Sequence, residues 1–524
     1  MRLIVRGGEM TRKFAYIALS ALVVILPMLL VSIILLNQFD ATLFDHVPFY
    51  NDEIFHWHQS VSFIEAGFNN GYYTLDENIP LLDASHYYAW GAWVYIFYGM
   101  IGRVTGFPLY AITIINLVTF MGSVTFFIYS VRPTWQRLIV LGLVLATFIP
   151  LLFYLPTSML QLLNLAIVIV FATGFYHLLT RPVSWHFVLA MSIFAVLAGL
   201  VRPTYALFLA PMFALANTDR TIINTIIAGF KALPLVLIAA VAFYTSAAPF
   251  PHFRTILFLS DDPLTVKLSN FAIYIRQSFV WMTEGASIIM AQRFQIGVLI
   301  LLLIVWGIWM WRRHHEHDDT AWRWELALHL YNLVGFYTAT ILFHETLGGH
   351  DYRVMSVHLL FSLVLLVAFQ RNVLVIPIIA MSIFWMPDVL NDYQYKVINF
   401  DGISAQQFAD WRSIMGDDLV YDAEAPSPWC NTVMTSSFYV LNAAGQPAML
   451  LAIDAGLGLS WAFDWVFPEF DLPVPDDYTI PDTFQSRYLI LTDEDFNTWG
   501  QDLNLERLER APHGAVYLNL DVAC

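Results

Sequence analysis

A polytopic α-helical membrane protein with a soluble C-terminal α/β or α+β domain is the fold class this sequence predicts, on three observations. Hydrophobic residues make up 58% of the 524 and charged residues 13%, with a mean hydropathy of +0.61, which is too apolar for a soluble chain of ordinary usage. Apolar runs of membrane-spanning character recur from residue 14 to residue 388, with arginines between them. After Asp388 the composition turns acidic, with Pro, Asp and Asn, so the net charge of −16 describes that part of the chain and not the membrane part. No Lys/Arg-rich block interleaved with aromatics occurs, and an acidic surface repels phosphate backbones; nucleic acid is set aside as a partner.

At the N-terminus Arg2, Arg6, Arg12 and Lys13 precede an apolar run from Phe14 to Leu36. At roughly 23 residues the run is too long for a signal peptide and long enough for a hydrocarbon core of about 30 Å. No small-residue cleavage site follows, so it reads as a retained first helix with residues 1–13 in the cytoplasm. Further candidate spans are 108–131, 137–155, 159–179, 185–201, 203–217, 222–246, 295–311, 325–343, 354–370 and 372–388, giving about eleven in all. Alternating them from a cytoplasmic start puts Arg132, Arg137, Arg181, Arg220, Arg312, Arg313, Arg323 and Arg371 on the cytoplasmic side, as the positive-inside rule expects. Residues 37–107, 247–294, 344–353 and 389–524 then lie outside.

Every cytoplasmic loop is short, and none is a domain with room for a nucleotide. Neither the Gly-x-x-x-x-Gly-Lys-Ser/Thr nor the Gly-x-Gly-x-x-Gly fingerprint occurs. Chemistry is therefore expected on the extracytoplasmic side, where a group donor would have to arrive on a lipid.

The first external loop opens with Pro48-Phe49-Tyr50-Asn51-Asp52-Glu53-Ile54-Phe55-His56-Trp57-His58. A helix over Asn51 to Ala66 would put Asp52, His56 and Gln59 on one face at i, i+4 and i+7, with Glu53, Trp57 and Ser60 on the adjacent one. One face can then present a base to a cavity while its neighbour packs. The competing reading makes Asp52 and Glu53 helix-dipole charges, with Asn51 as the cap. Further along the same loop, His86-Tyr87-Tyr88-Ala89-Trp90 continues into an apolar stretch that ends at Arg103. It is short and rich in Tyr and Trp, which predicts an interfacial or re-entrant helix with rings at the headgroup level.

Several basic residues fall on the external side against the charge rule. Lys267, Arg254 and Arg276 read as snorkelling surface charges. Arg202, between two tightly connected spans, and Arg353, beside Tyr352 at the mouth of a span, are candidates to hold a lipid phosphate through a planar guanidinium. The external His344-Glu345-Thr346-Leu347-Gly348-Gly349-His350 loop could join Asp52 and His56 around a divalent ion; the alternative is a capped loop turned by its glycines. The cytoplasmic His314-His315-Glu316-His317-Asp318-Asp319 run reads as a solvated loop. The two cysteines, Cys430 and Cys524, both fall in the external domain, where an oxidising compartment predicts a disulfide.

A first span, an external loop opening with Asp-Glu and aromatics on an amphipathic helix, a second aromatic helix, many further spans and a soluble C-terminal domain together resemble the type-C glycosyltransferases. Protein O-mannosyltransferases, aminoarabinose transferases and mycobacterial arabinosyltransferases are members. The resemblance covers the architecture of residues 1–370. It implies that Asp52 is the catalytic base and Glu53 an acceptor or sugar contact. His86 is loosely similar to the His of a His-Pro-Pro motif, with Tyr87 and Tyr88 in place of the prolines.

The resulting expectation is a transmembrane catalytic domain over 1–388, including the external loop 37–107, and an extracytoplasmic domain over 389–524. The chain would sit in a bacterial inner or plasma membrane. Asp52 would deprotonate an acceptor hydroxyl on a glycan, lipid or protein, while His56, His86, Arg202, Tyr352 and Arg353 bind substrate and the cations hold the phosphate leaving a polyprenyl-phosphate sugar. A single displacement inverts the anomeric centre. A transporter or flippase, and a lipid-linked glycan ligase or polymerase, remain the alternatives.

Overall fold

The computed structural model describes residues 2–48, 51–66, 74–76, 91–217, 221–246, 263–266, 268–269, 272–273, 276, 287–313, 321–336, 352–396, 422, 424–435, 457–461, 483–498, 500–511 and 514–524. Helices dominate the first part of the chain. They are α1 (Arg2–Phe39), α2 (Asn51–Ala66), α3 (Trp93–Thr105), α4 (Ala111–Val131), α5 (Trp135–Thr147), α6 (Ile149–Tyr154), α7 (Gln161–Thr180), α8 (Trp185–Val201), α9 (Leu209–Ala216) and α10 (Ile222–Tyr244). They continue with α11 (Ser287–Arg313), α12 (Ala321–Leu330), α13 (Tyr352–Ala368) and α14 (Asn372–Lys396). Among the described residues five segments are long and apolar enough to cross a membrane: Arg12–Phe39, Ala111–Val131, Gln161–Thr180, Ile222–Phe243 and Gln292–Arg313. Five of the other candidate spans hold shorter apolar helices, Trp135–Thr147, Trp185–Val201, Pro203–Ala216, Met355–Ala368 and Asn372–Pro387, and 325–343 is described only as far as Phe336.

The run 137–155 divides into α5 and α6 because Ile149 precedes Pro150. Phe148 takes an extended conformation, and Pro150 sits in the first turn of α6, where it needs no N–H. The run 203–217 starts as a tight 3-10 turn at Pro203–Phe208 before α9. In 325–343 the helix widens into a π-turn at Tyr331–Gly335, which turns Asn332 into the bundle.

α7 is the axis of the bundle. In an apolar 18-residue stretch of α7, 89% of the residues are buried, against 22% in that of α1, and α7 packs against α4 and α13 most extensively. Its core face stacks Phe171 on Phe208 at 4.6 Å and Phe175 edge-on to Phe361 at 5.8 Å.

The arginines gather at the end of α7 where Thr180 lies. Arg137 donates to Ala368 O and Gln370 Oε1 at 3.0 and 2.9 Å, closing the last carbonyls of α13. Arg371 makes a two-pronged pair with buried Glu325 at 3.0 and 2.9 Å, under the Trp306 ring. Arg181 and Arg323 line one cavity there.

Among the described residues a six-stranded sheet follows in order β1-β3-β2-β4-β6-β5, where β1 is Thr74–Asp76, β2 Thr432–Thr435, β3 Gly458–Trp461, β4 Tyr488–Thr492, β5 Leu505–Ala511 and β6 Gly514–Asn519. β1, β3, β2 and β4 run parallel, and β6 is antiparallel to both β4 and β5. Alternation along β4 buries both faces: Tyr488 and Ile490 join Val433 and Val516, while Leu489 and Leu491 join Met434, Ala515 and Tyr517. β1 comes from the segment between α2 and α3, so the sheet is completed by residues some 350 positions earlier in the chain than its other strands. The helical reading of that segment did not anticipate this strand. Cys430 and Cys524 form the expected disulfide, with Cα atoms 5.7 Å apart across a separation of 94 residues.

Candidate functional site

The helix predicted over Asn51 to Ala66 forms with those limits. Its two acids are then treated differently. Glu53 is fully buried, and its Oε1 accepts the Ser158 backbone N–H at 2.6 Å. Three supports hold the receiving loop in place. His46 Nε2 lies 2.8 Å from Ser158 Oγ and 3.5 Å from Glu53 Oε1. Thr157 Oγ1 donates to Tyr154 O at 2.8 Å, and Asn116 Nδ2 donates to Met159 O at 3.1 Å. Burial pushes His46 down to about 3, so the imidazole is neutral and its approach to Glu53 is a polar contact instead of an ion pair.

Asp52, half-buried, turns toward α3. Tyr95 is the neighbour that registers it: burial first, then the Asp52 charge, raises the Tyr95 phenol well above its ordinary value. His56, one turn beyond Asp52 on the same face, places Nδ1 3.0 Å from the Tyr95 hydroxyl. The Asp52 charge and the His56 imidazole therefore both act on one phenol. Gln59, the third residue of that face, is fully buried, and among the described residues neither its Nε2 nor its Oε1 has a hydrogen-bond partner. A buried amide left so is costly unless a bound polar molecule satisfies it.

α3 is fixed to α2 by close approach and by a cap. Gly99 faces Phe63, and Gly102 faces Ile64 and Phe107 at distances no Cβ could keep. Arg103 donates to Phe63 O at 2.8 Å and Ile64 O at 3.3 Å, the last-turn carbonyls of α2, with its guanidinium 4.7 Å from the Phe63 ring centre. Tyr95 and Tyr98 are consequently turned inward and fully buried. Tyr98 donates to Asn116 Oδ1 on α4 at 2.6 Å, and Asn116 carries the link on to Met159 O in the loop that holds Glu53.

A second polar group starts at the same end of α7. Gln161 Nε2 donates to Ser356 Oγ on α13, and Tyr205 donates to Asn164 Oδ1 at 3.0 Å. Arg202, at the end of α8, accepts the Tyr205 backbone N–H at its carbonyl at 2.9 Å. His358 Nδ1 lies 2.8 Å from Asn332 Oδ1, and Asn332 Nδ2 donates to His358 O at 2.7 Å and Ser362 Oγ at 3.0 Å. Asp52, Glu53, His56 and Arg202 thus all sit on elements anchored to the first turn of α7 or the loop before it.

Tyr352 and Arg353 open α13, two turns or less from Ser356 and His358, and their side chains lie outside the described residues. His86, His344, Glu345 and His350 lie outside them too, as do Arg254, Lys267 and the 314–319 run. Among the described residues no three of His, Cys, Asp and Glu come together as a metal site. Sequence reasoning missed Ser158, Tyr95, Asn116 and Gln161. The available signal was Pro156-Thr157-Ser158, a polar interruption between two apolar runs, where a two-residue turn would have sufficed.

The class to which this arrangement compares is that of polytopic membrane proteins, and no family model and no curated protein matches the chain. Among solved structures it is similar to ArnT from Cupriavidus metallidurans bound to undecaprenyl phosphate, at 11% identity over 97% of this chain and 98% of that one, with a TM-score of 0.41. It is similar also to ArnT from the same organism in the apo state, at 11% identity over 98% of each chain, with a TM-score of 0.44.

Proposed function

We propose that the chain is a membrane glycosyltransferase that moves a sugar from a polyprenyl-phosphate donor to an acceptor hydroxyl at the extracytoplasmic face. The observation that carries this reading is the division of labour between adjacent acids. Glu53 is buried as an anchor on Ser158, while Asp52 stays half-buried beside Tyr95 and His56. In the proposed reaction Asp52 takes the proton of the acceptor hydroxyl. The acceptor oxygen bonds to the anomeric carbon as the bond from that carbon to the phosphate oxygen breaks, and the electron pair leaves with the polyprenyl phosphate. One displacement inverts the centre. Arg202, with Arg353 at the start of α13, neutralises the departing phosphate. Gln59 offers an unsatisfied amide to a sugar hydroxyl on the same face as the base.

The topology that accompanies this reading has about eleven spans and a cytoplasmic N-terminus. Its domains are 1–388 and 389–524, with 37–107 as the external loop that carries the base, and it sits in a bacterial inner membrane. Support comes from the separation of charges along α7: Arg137, Arg181, Arg323 and Arg371 lie at one end and the Asp52 site at the other. Acceptors in the frame are glycans, lipids and proteins. A divalent ion held by Asp52, His56, His344, Glu345 and His350 is a variant of the same site.

Asp52→Asn keeps the shape of the base and removes its basicity. With labelled polyprenyl-phosphate sugars, the variant is expected to lose at least about 100-fold in transfer while expressing and folding as the wild type does. Full activity would remove Asp52 from the mechanism. The buried polar row Gln161, Asn164, Asn332, His358 and Ser362 inside the bundle favours a second reading, a transporter or flippase. Lipid movement in liposomes without any covalent product would select it.

A further inference from the structure

The end of α7 remote from Glu53 carries a cavity of about 820 Å³ that the proposed reaction does not use. α7 has 20 residues, which at about 1.5 Å each puts the two ends about 30 Å apart. We propose that this cavity binds the phosphate headgroup of an anionic phospholipid. On the topology proposed above, the leaflet is the cytoplasmic one; the binding itself does not depend on the transferase reading.

Three features of the lining support this occupant. Arg181 follows α7 and Arg323 belongs to α12, so two exposed arginines from separate segments line one space, and no carboxylate is among the described lining residues. Arg323 also lies 5.6 Å from the ring centre of Trp322, which steadies its fork. Two such forks suit the oxygens of a phosphate diester, and their positive charge favours a headgroup that carries no compensating cation over a zwitterionic one.

Asn217 and Trp324 add an amide and an indole, the mixed polar and aromatic lining expected where headgroups lie. Apart from Thr180 the remaining lining is apolar, and it includes Ile222, which opens the outward row Ile222, Ile226 and Phe230 on α10. A headgroup between the arginines would therefore have a continuous apolar face along which to lay its acyl chains. A free anion would gain nothing from that face. The volume falls within the roughly 300–1,000 Å³ of small-molecule sites, enough for a headgroup and the upper part of its chains.

Calorimetric titration of the purified full-length chain in a neutral detergent tests the proposal. The probes are dihexanoyl phosphatidylglycerol, dihexanoyl phosphatidylcholine and inorganic phosphate. Saturable binding is expected for phosphatidylglycerol, and at least tenfold weaker binding for the other two. Arg181→Gln combined with Arg323→Gln should weaken phosphatidylglycerol binding by roughly tenfold or more. Arg132→Gln, outside the cavity, should leave it unchanged. Arg181→Lys with Arg323→Lys should retain binding in part, which serves if the glutamine pair does not fold. Equal affinity for the two lipids, equal affinity for inorganic phosphate, or a glutamine pair that folds and binds as the wild type would each overturn the proposal.

Discussion

Replacing Glu53 probes the anchor on which the proposed site depends. Its carboxylate accepts a 2.6 Å hydrogen bond from the Ser158 N–H and is fully buried, so Glu53→Ala removes a charge-assisted bond and leaves a backbone donor unsatisfied. The expected loss of stability is about 1.5–3 kcal/mol. Glu53→Gln retains an acceptor oxygen in the same place and should cost about 1 kcal/mol or less. Unfolding of both variants in detergent, followed by circular dichroism, separates the two values. Transfer kinetics on Glu53→Gln complete the test: because α2 is loosened while Asp52 keeps its basicity, the acceptor KM should rise more than kcat falls. An alanine variant as stable as the wild type, or a glutamine variant as damaged as the alanine one, would refute the anchoring role. A fall in kcat alone would move the base from Asp52 to Glu53.

Three further outcomes follow from the same contacts. Gly99→Ala places a methyl group against the Phe63 ring and should destabilise the α2–α3 pair by about 1–3 kcal/mol, measured by the same unfolding assay; no change would mean that α3 can move away without cost. Burial pushes His46 and His58 down to about 3, whereas histidines in the unfolded chain titrate near 6.5. The unfolded chain therefore binds more protons below that pH, and the stability present at pH 7 should fall on acidification towards pH 3, by about 1.4 kcal/mol per pH unit for each ring; a melting temperature independent of pH between 7.5 and 5 would contradict this. Cys430→Ser with Cys524→Ser opens a loop of 94 residues, worth about 4–5 kcal/mol on the chain-entropy estimate. Peptide mapping without reductant should recover the linked pair, and free alkylation of both thiols would exclude it.

The α2 segment shows where legibility ends. Its limits, and the sharing of one face by Asp52 and His56, follow from 3.6-residue periodicity, a local property that the sequence carries by itself. That Glu53 would be buried and Asp52 left partly open could not be read there. The difference lies in Ser158, 105 residues away, and in Tyr95, brought in by α3. Composition and charge also determined the apolar, helix-rich character of residues 14–388, because a bilayer-length run of apolar residues needs no partner to be recognised. The paired cysteines were legible because only two exist. Strand β1 was not, since three residues of a loop acquire strand character only from β3, to which they bond. The cavity between Arg181 and Arg323 was likewise decided by the bundle, which brings together the end of α7 and the start of α12. Periodicity and composition act over neighbouring residues and so can be read in order along the chain. The partners of a buried polar group are set by packing between distant segments, and only the tertiary structure supplies them.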